Sequence, residues 1–113
     1  MPLSPQHFAE ADRAAIGAAL RYWLAKWDWE CPTLFGLKQA EVQQVLDRWP
    51  DDVDCGEPTA ALAITAAFRE LLHGASAVQR ASVPKACGLS YEAANDLSQR
   101  IHLYVRHALQ REA

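Results

Sequence analysis

Proline and glycine punctuate this chain at intervals of helical length, and that spacing constrains its fold more than any other feature. Pro5, Pro32, Pro50, Pro58 and Pro84 stand where a helix can start or must stop, because proline lacks an amide hydrogen and disfavours helical geometry at the residue before it. Gly36, Gly74 and Gly88 supply the turns. Between these marks apolar residues recur at three and four positions, and no strand-like alternation of Val, Ile and Thr lasts beyond a few residues. Alanine, the strongest helix former, occupies 21 of the 113 positions, so the intervals have both the period and the propensity of helices.

Ser4 ahead of Pro5 pairs a capping hydroxyl with the residue best suited to a first helical position. It predicts a first helix running to about residue 27, with Phe8, Ile16, Leu20, Trp23, Leu24 and Trp27 on its apolar face and a break conceivable near Asp12. Residues 28–36 read as a connecting loop, since Pro32 biases Cys31 away from helix and Gly36 permits a sharp turn. Trp29, Leu34 and Phe35 give that loop so much apolar area that it is expected to fold onto the body of the protein. Leu37, Val42, Val45, Leu46 and Trp49 mark a second helix stopped by Pro50. Pro58 opens a third, with Leu62, Phe68, Leu71 and Leu72 inward and Ala60, Ala63 and Ala67 forming a stripe that lets a neighbour approach closely. Residues 75–89 have room for one short helix. Ser90 then caps a last long helix with Leu97, Ile101, Tyr104, Val105 and Leu109 on one face. The expectation is an all-α four- or five-helix bundle forming one domain over residues 1–113.

Half of the residues are apolar and 22% are charged, an ordinary globular balance that argues against disorder. The net charge of −3 is unevenly divided. Residues 1–57 hold 5 Lys/Arg against 10 Asp/Glu, a balance of −5; residues 58–113 hold 6 against 4, a balance of +2. Neither half approaches the dense basic face that phosphate neutralisation needs, so nucleic acid is disfavoured as a partner. The longest apolar stretch, around Ala60–Phe68, is too short to span a bilayer, and the N-terminus lacks the pattern of a secretory signal. Three widely spaced cysteines, Cys31, Cys55 and Cys87, imply no disulfide framework. A cytoplasmic location fits that set best.

Each constellation that resembles a chemical site is incomplete. Glu70 and His73 have the Glu-x-x-His spacing of a di-iron bundle, but the second pair and the two further glutamates are missing. The acidic run Asp51, Asp52, Asp54, Glu57 fails as a calcium loop because Val53, Cys55 and Leu62 fall on ligand positions. Cysteines and the histidines His7, His73, His102 and His107 form no zinc-type pair. Gly88-Leu89-Ser90 ahead of an amphipathic helix has the outline of a helix-turn-helix, yet Pro84 interrupts the first helix, and Glu92 and Asp96 sit where cations belong. No cofactor, no metal and no catalytic set is therefore expected.

The tryptophans point elsewhere. Trp23 and Trp27 lie four apart on one helix and suit the core, whereas Trp29 stands in a loop between Asp28 and Glu30. An indole collared by carboxylates has the character of an interface anchor, since tryptophan is enriched among residues that dominate binding energy. Candidate partner-binding residues are thus Asp28, Trp29 and Glu30, with Asp51, Asp52 and Asp54 as a second acidic element. The expected function is a small acidic protein-interaction module that binds another protein, basic in character, and inhibits it. By analogy such domains are similar to bacterial immunity proteins and antitoxins. The competing expectation is a helical small-molecule-binding protein or enzyme with a pocket between helices that uses His73 and a cysteine.

Overall fold

In the computed structural model, which describes residues 8–54, 57–74 and 77–112, with side chains described as far as Arg106, the chain is all-α. Its elements are α1 (Glu10–Ala25), α2 (Cys31–Phe35), α3 (Gln39–Arg48), α4 (Pro58–Leu72), a 3₁₀ turn (Arg80–Ser82), α5 (Val83–Cys87) and α6 (Tyr91–Glu112). Four helices of ten residues or more carry the architecture, and α2 and α5 are single turns. Among the described residues there is no strand, and no helix is long and apolar enough to cross a membrane. The radius of gyration, 12.9 Å, matches the roughly 13 Å of a folded chain this long.

Helix α4 sits at the centre, packed against α1, α2, α3 and α6. Its placement follows from composition, because a helix apolar on nearly every side has to be enclosed. Ala60, Ala63 and Ala67 are buried as the small-residue stripe predicts, and Ala61, Ile64, Ala66, Phe68 and Leu71 join them. Helix α1 packs against α3, α4 and α5, contributing Ile16, Leu20 and Trp23 to the core; α6 adds Leu97 and Ile101. Helix α4 starts on a sequence-coded cap. Glu57 accepts the amide hydrogens of Thr59 and Ala60 through its two carboxylate oxygens, each at 3.0 Å, and Pro58 follows in the first turn. At α6 the Ser90 hydroxyl accepts the Ala93 amide hydrogen at 3.2 Å, the cap expected there.

Several expectations are corrected. Leu62 is 47% exposed rather than inward. It shares the outward stripe of α4 with Arg69, seven residues on, so the core register runs through Ile64 instead. Tyr104 is 41% exposed, with its ring edge against Phe8 at 5.6 Å. Helix α1 begins at Glu10 after the extended Ala9, and it continues unbroken past Asp12. The Ser4 cap and the inward Leu109 lie outside the residues and side chains described. Pro32 and Pro84 do not exclude helix from the preceding residue: Cys31 and Val83 are each the first residue of a short helix. A first-turn proline removes an amide that has no intrahelical acceptor. The remaining conformational cost is offset by burying Cys31 and Phe35 in one turn, and Val83 and Cys87 in the other. Both turns end on glycine with positive φ, Gly36 at 69° and Gly88 at 81°, a conformation that would strain any other residue.

Candidate functional site

The segment from Asp28 to Gly36 is held at four levels. Asp28 begins it. Its Oδ1 accepts the Glu30 amide hydrogen at 2.9 Å and the Cys31 thiol at 3.4 Å, while its carbonyl accepts the Cys31 amide hydrogen at 3.2 Å. This is the local side-chain-to-backbone bonding by which aspartate favours turns. The Glu30 carbonyl next accepts from Thr33 and Leu34, both at 3.1 Å, closing the α2 turn. Phe35 then docks between two indoles, with ring centroids 5.9 Å from Trp23 and 5.3 Å from Trp27. Finally Nη2 of Arg69 donates to the Leu34 carbonyl at 2.6 Å, tying α2 to α4.

Trp29 rides on this frame and is 85% exposed. Its neighbours differ sharply from it. Trp23 is buried and donates its indole hydrogen to the Ala67 carbonyl at 2.8 Å; Trp49, half-buried, donates to the Arg13 carbonyl at 2.9 Å. Trp27 is half-buried against Phe35. Asp28 and Glu30 are exposed on either side of Trp29. A large apolar ring is thus presented to water from a fastened backbone, and the cost of ordering that backbone has already been met in the folded chain.

The second acidic element, Asp51, Asp52 and Asp54, lies at the other end of α3, whose ten residues span roughly 15 Å. Asp51 and Asp52 are exposed, Asp52 lies 3.6 Å from Arg48, and Asp54 is half-buried. Asp52 and Asp54 line a cleft of about 290 Å³ with Glu41, Arg48 and Glu57. Glu57 is engaged as the α4 cap and Glu41 accepts the Lys38 amide hydrogen at 2.8 Å. Two of these carboxylates therefore serve helix starts.

The residues considered for other chemistry are engaged separately. Glu70 is buried and pairs with Arg69 at 2.8 Å, while His73 Nε2 meets Asn95 Oδ1 at 3.1 Å on the surface. Among the described residues no group of three His, Cys, Asp or Glu side chains is arranged to hold a metal ion. His7, Cys55 and the His107 side chain lie outside what is described. Cys31 and Cys87 are buried and unpaired. Burial pushes both thiols up from their ordinary range; a thiol held protonated is a poor nucleophile.

Sequence reasoning missed a second feature of the same end of the molecule. Tyr22, Lys26, Val78, Ser82, Lys85 and Ala86 line an open groove of about 360 Å³ between α1 and the α5 segment. Lys26 holds its ammonium 5.4 Å from the Tyr22 ring centre. Neither lysine has a carboxylate within ion-pair distance among the described residues. The lining residues are separated by more than fifty positions in the chain, so no spacing signal could have joined them. No protein-family model matches the chain, and no curated protein or solved structure matches it.

Proposed function

We propose that this chain is a protein-interaction module, with Trp29 as its anchor, Asp28 and Glu30 as a charged collar, and a partner that presents a basic, partly apolar surface. The observation that carries this reading is the 85% exposure of Trp29 on a turn secured by Asp28, Phe35 and Arg69. Burying an indole carried on a fixed backbone removes a large apolar area from water without the cost of ordering that backbone, and such residues dominate binding energy. The collar and the more distant Asp51, Asp52 and Asp54 steer a cationic partner toward it. Occupying the partner's basic surface is the route to inhibition, in the manner of the immunity proteins and antitoxins to which the chain is compared by analogy.

The test is capture by the tagged chain followed by titration of the captured protein. Trp29→Ala should weaken binding by about 2 kcal/mol, some thirtyfold, with the helical spectrum unchanged. Neutralising Asp51 and Asp52 should mainly slow association and lower its salt dependence. A Trp29→Ala chain that binds as tightly as the parent refutes the assignment.

A further inference from the structure

The acid-collared indole and the lysine-rimmed groove are complementary to one another, and they are neighbours. Lys26 is three residues before Trp29, so at most about 11 Å of extended backbone separates the groove rim from the anchor. The groove, about 360 Å³, is at the low end of clefts that enclose small molecules. An indole is smaller than that volume and fits within it. The groove is lined by half-buried Tyr22, Val78 and Ala86 and by exposed Lys26, Ser82 and Lys85, with the Lys26 ammonium over the Tyr22 ring. That is an apolar surface for an indole and two cations for the carboxylates beside it. Trp29 does not use the groove of its own chain, being 85% exposed.

We infer that a second copy of this chain occupies the groove: two protomers related by a twofold axis exchange Trp29 reciprocally. An indole and a groove adjacent on one patch form the self-complementary surface that a twofold interface requires. Glu30 of each copy then faces the lysines of the other. The contact is small, so association is weak and reversible, and its charged rim makes it weaken with salt. Because one indole serves both contacts, a second copy and the partner proposed above exclude each other. The dimer stands without that partner, and each is tested by its own measurement.

Sedimentation of the purified chain from micromolar to millimolar concentration should show reversible dimerisation that shifts to higher concentration at high salt. Trp29→Ala and the double variant Lys26→Glu/Lys85→Glu alter exposed side chains and should each remain helical and monomeric. Mixed together, they should associate more weakly than wild-type chains but more strongly than either variant with itself, because one of the two reciprocal contacts, the groove of the first with the indole of the second, is intact. A labelled Trp29→Ala chain should therefore bind the double variant and not itself. Wild-type chain that stays monomeric at millimolar concentration overturns the inference, as does dimerisation that Trp29→Ala leaves as strong as in the wild type. A monomeric wild type that still captures its partner through Trp29 overturns the dimer alone and leaves the proposed function standing.

Discussion

Replacing Phe35 by leucine tests how the candidate site is held in place. Phe35 is buried, and its ring meets Trp23 at 5.9 Å and Trp27 at 5.3 Å with interplanar angles of 71° and 56°. Such pairs contribute about 0.5–1.5 kcal/mol each beyond area burial, so losing both costs about 1–3 kcal/mol. The imperfect fit of leucine adds up to about 1.5 kcal/mol, giving a total of about 1–4.5 kcal/mol. A domain of ordinary stability survives that loss, and the urea midpoint should fall by roughly 0.5–2 M with little change in slope. A double-mutant cycle with Trp27→Leu isolates one ring pair and should return a coupling of about 0.5–1.5 kcal/mol. Because Phe35 docks the turn that carries Trp29, Phe35→Leu should also weaken partner binding, although its side chain is buried. A destabilisation below about 1 kcal/mol with no coupling to Trp27 would refute the reasoning, since α2 would then be held by something other than these rings.

Three further outcomes follow from particular groups. Glu57→Ala removes both capping bonds at the start of α4 and should cost about 1 kcal/mol in thermal or urea unfolding, with Glu57→Asp recovering part of it. The Thr65 hydroxyl is buried without a partner in the described structure, so Thr65→Val should be neutral or stabilising by up to about 1 kcal/mol; a loss of that size would mean the hydroxyl is bonded. Cys31 and Cys87 are both held protonated in the folded chain beyond their ordinary range, chiefly by burial. The unfolded chain therefore loses its thiol protons first, and stability present below about pH 8.5 should decline as pH rises above it; a Cys31→Ala/Cys87→Ala chain with an equally steep alkaline decline would contradict this.

Sequence alone determined the all-α class and the order of the four long helices. Those features depend on local causes: the proline at the head of α4, the Ser90 cap, the 3.6-residue apolar period and the scarcity of strand formers. It also separated exposed Trp29 from buried Trp23 and half-buried Trp27, although α1 ends at Ala25 and Trp27 reaches Phe35 from beyond the helix. The alanine stripe foretold close packing around α4 for the same reason: small residues at helical spacing admit a neighbour whatever that neighbour is.

Only the tertiary structure decided the rest. Periodicity placed Leu62 in the core; the register was set by enclosure among α1, α2, α3 and α6, which together buried Ile64 and put Leu62 on the outward stripe. The short helix α5 falls within the stretch where one was expected, but α2 was illegible because a proline in the second position reads locally as a helix breaker. In both, the compensation comes from Cys31, Phe35, Val83 and Cys87 buried in a distant core. The bond from Arg69 to Leu34 spans 35 positions, and the groove joins Tyr22 to Lys85 across more. No local pattern encodes such meetings, because they exist only once folding has brought separate helices to one end of the molecule.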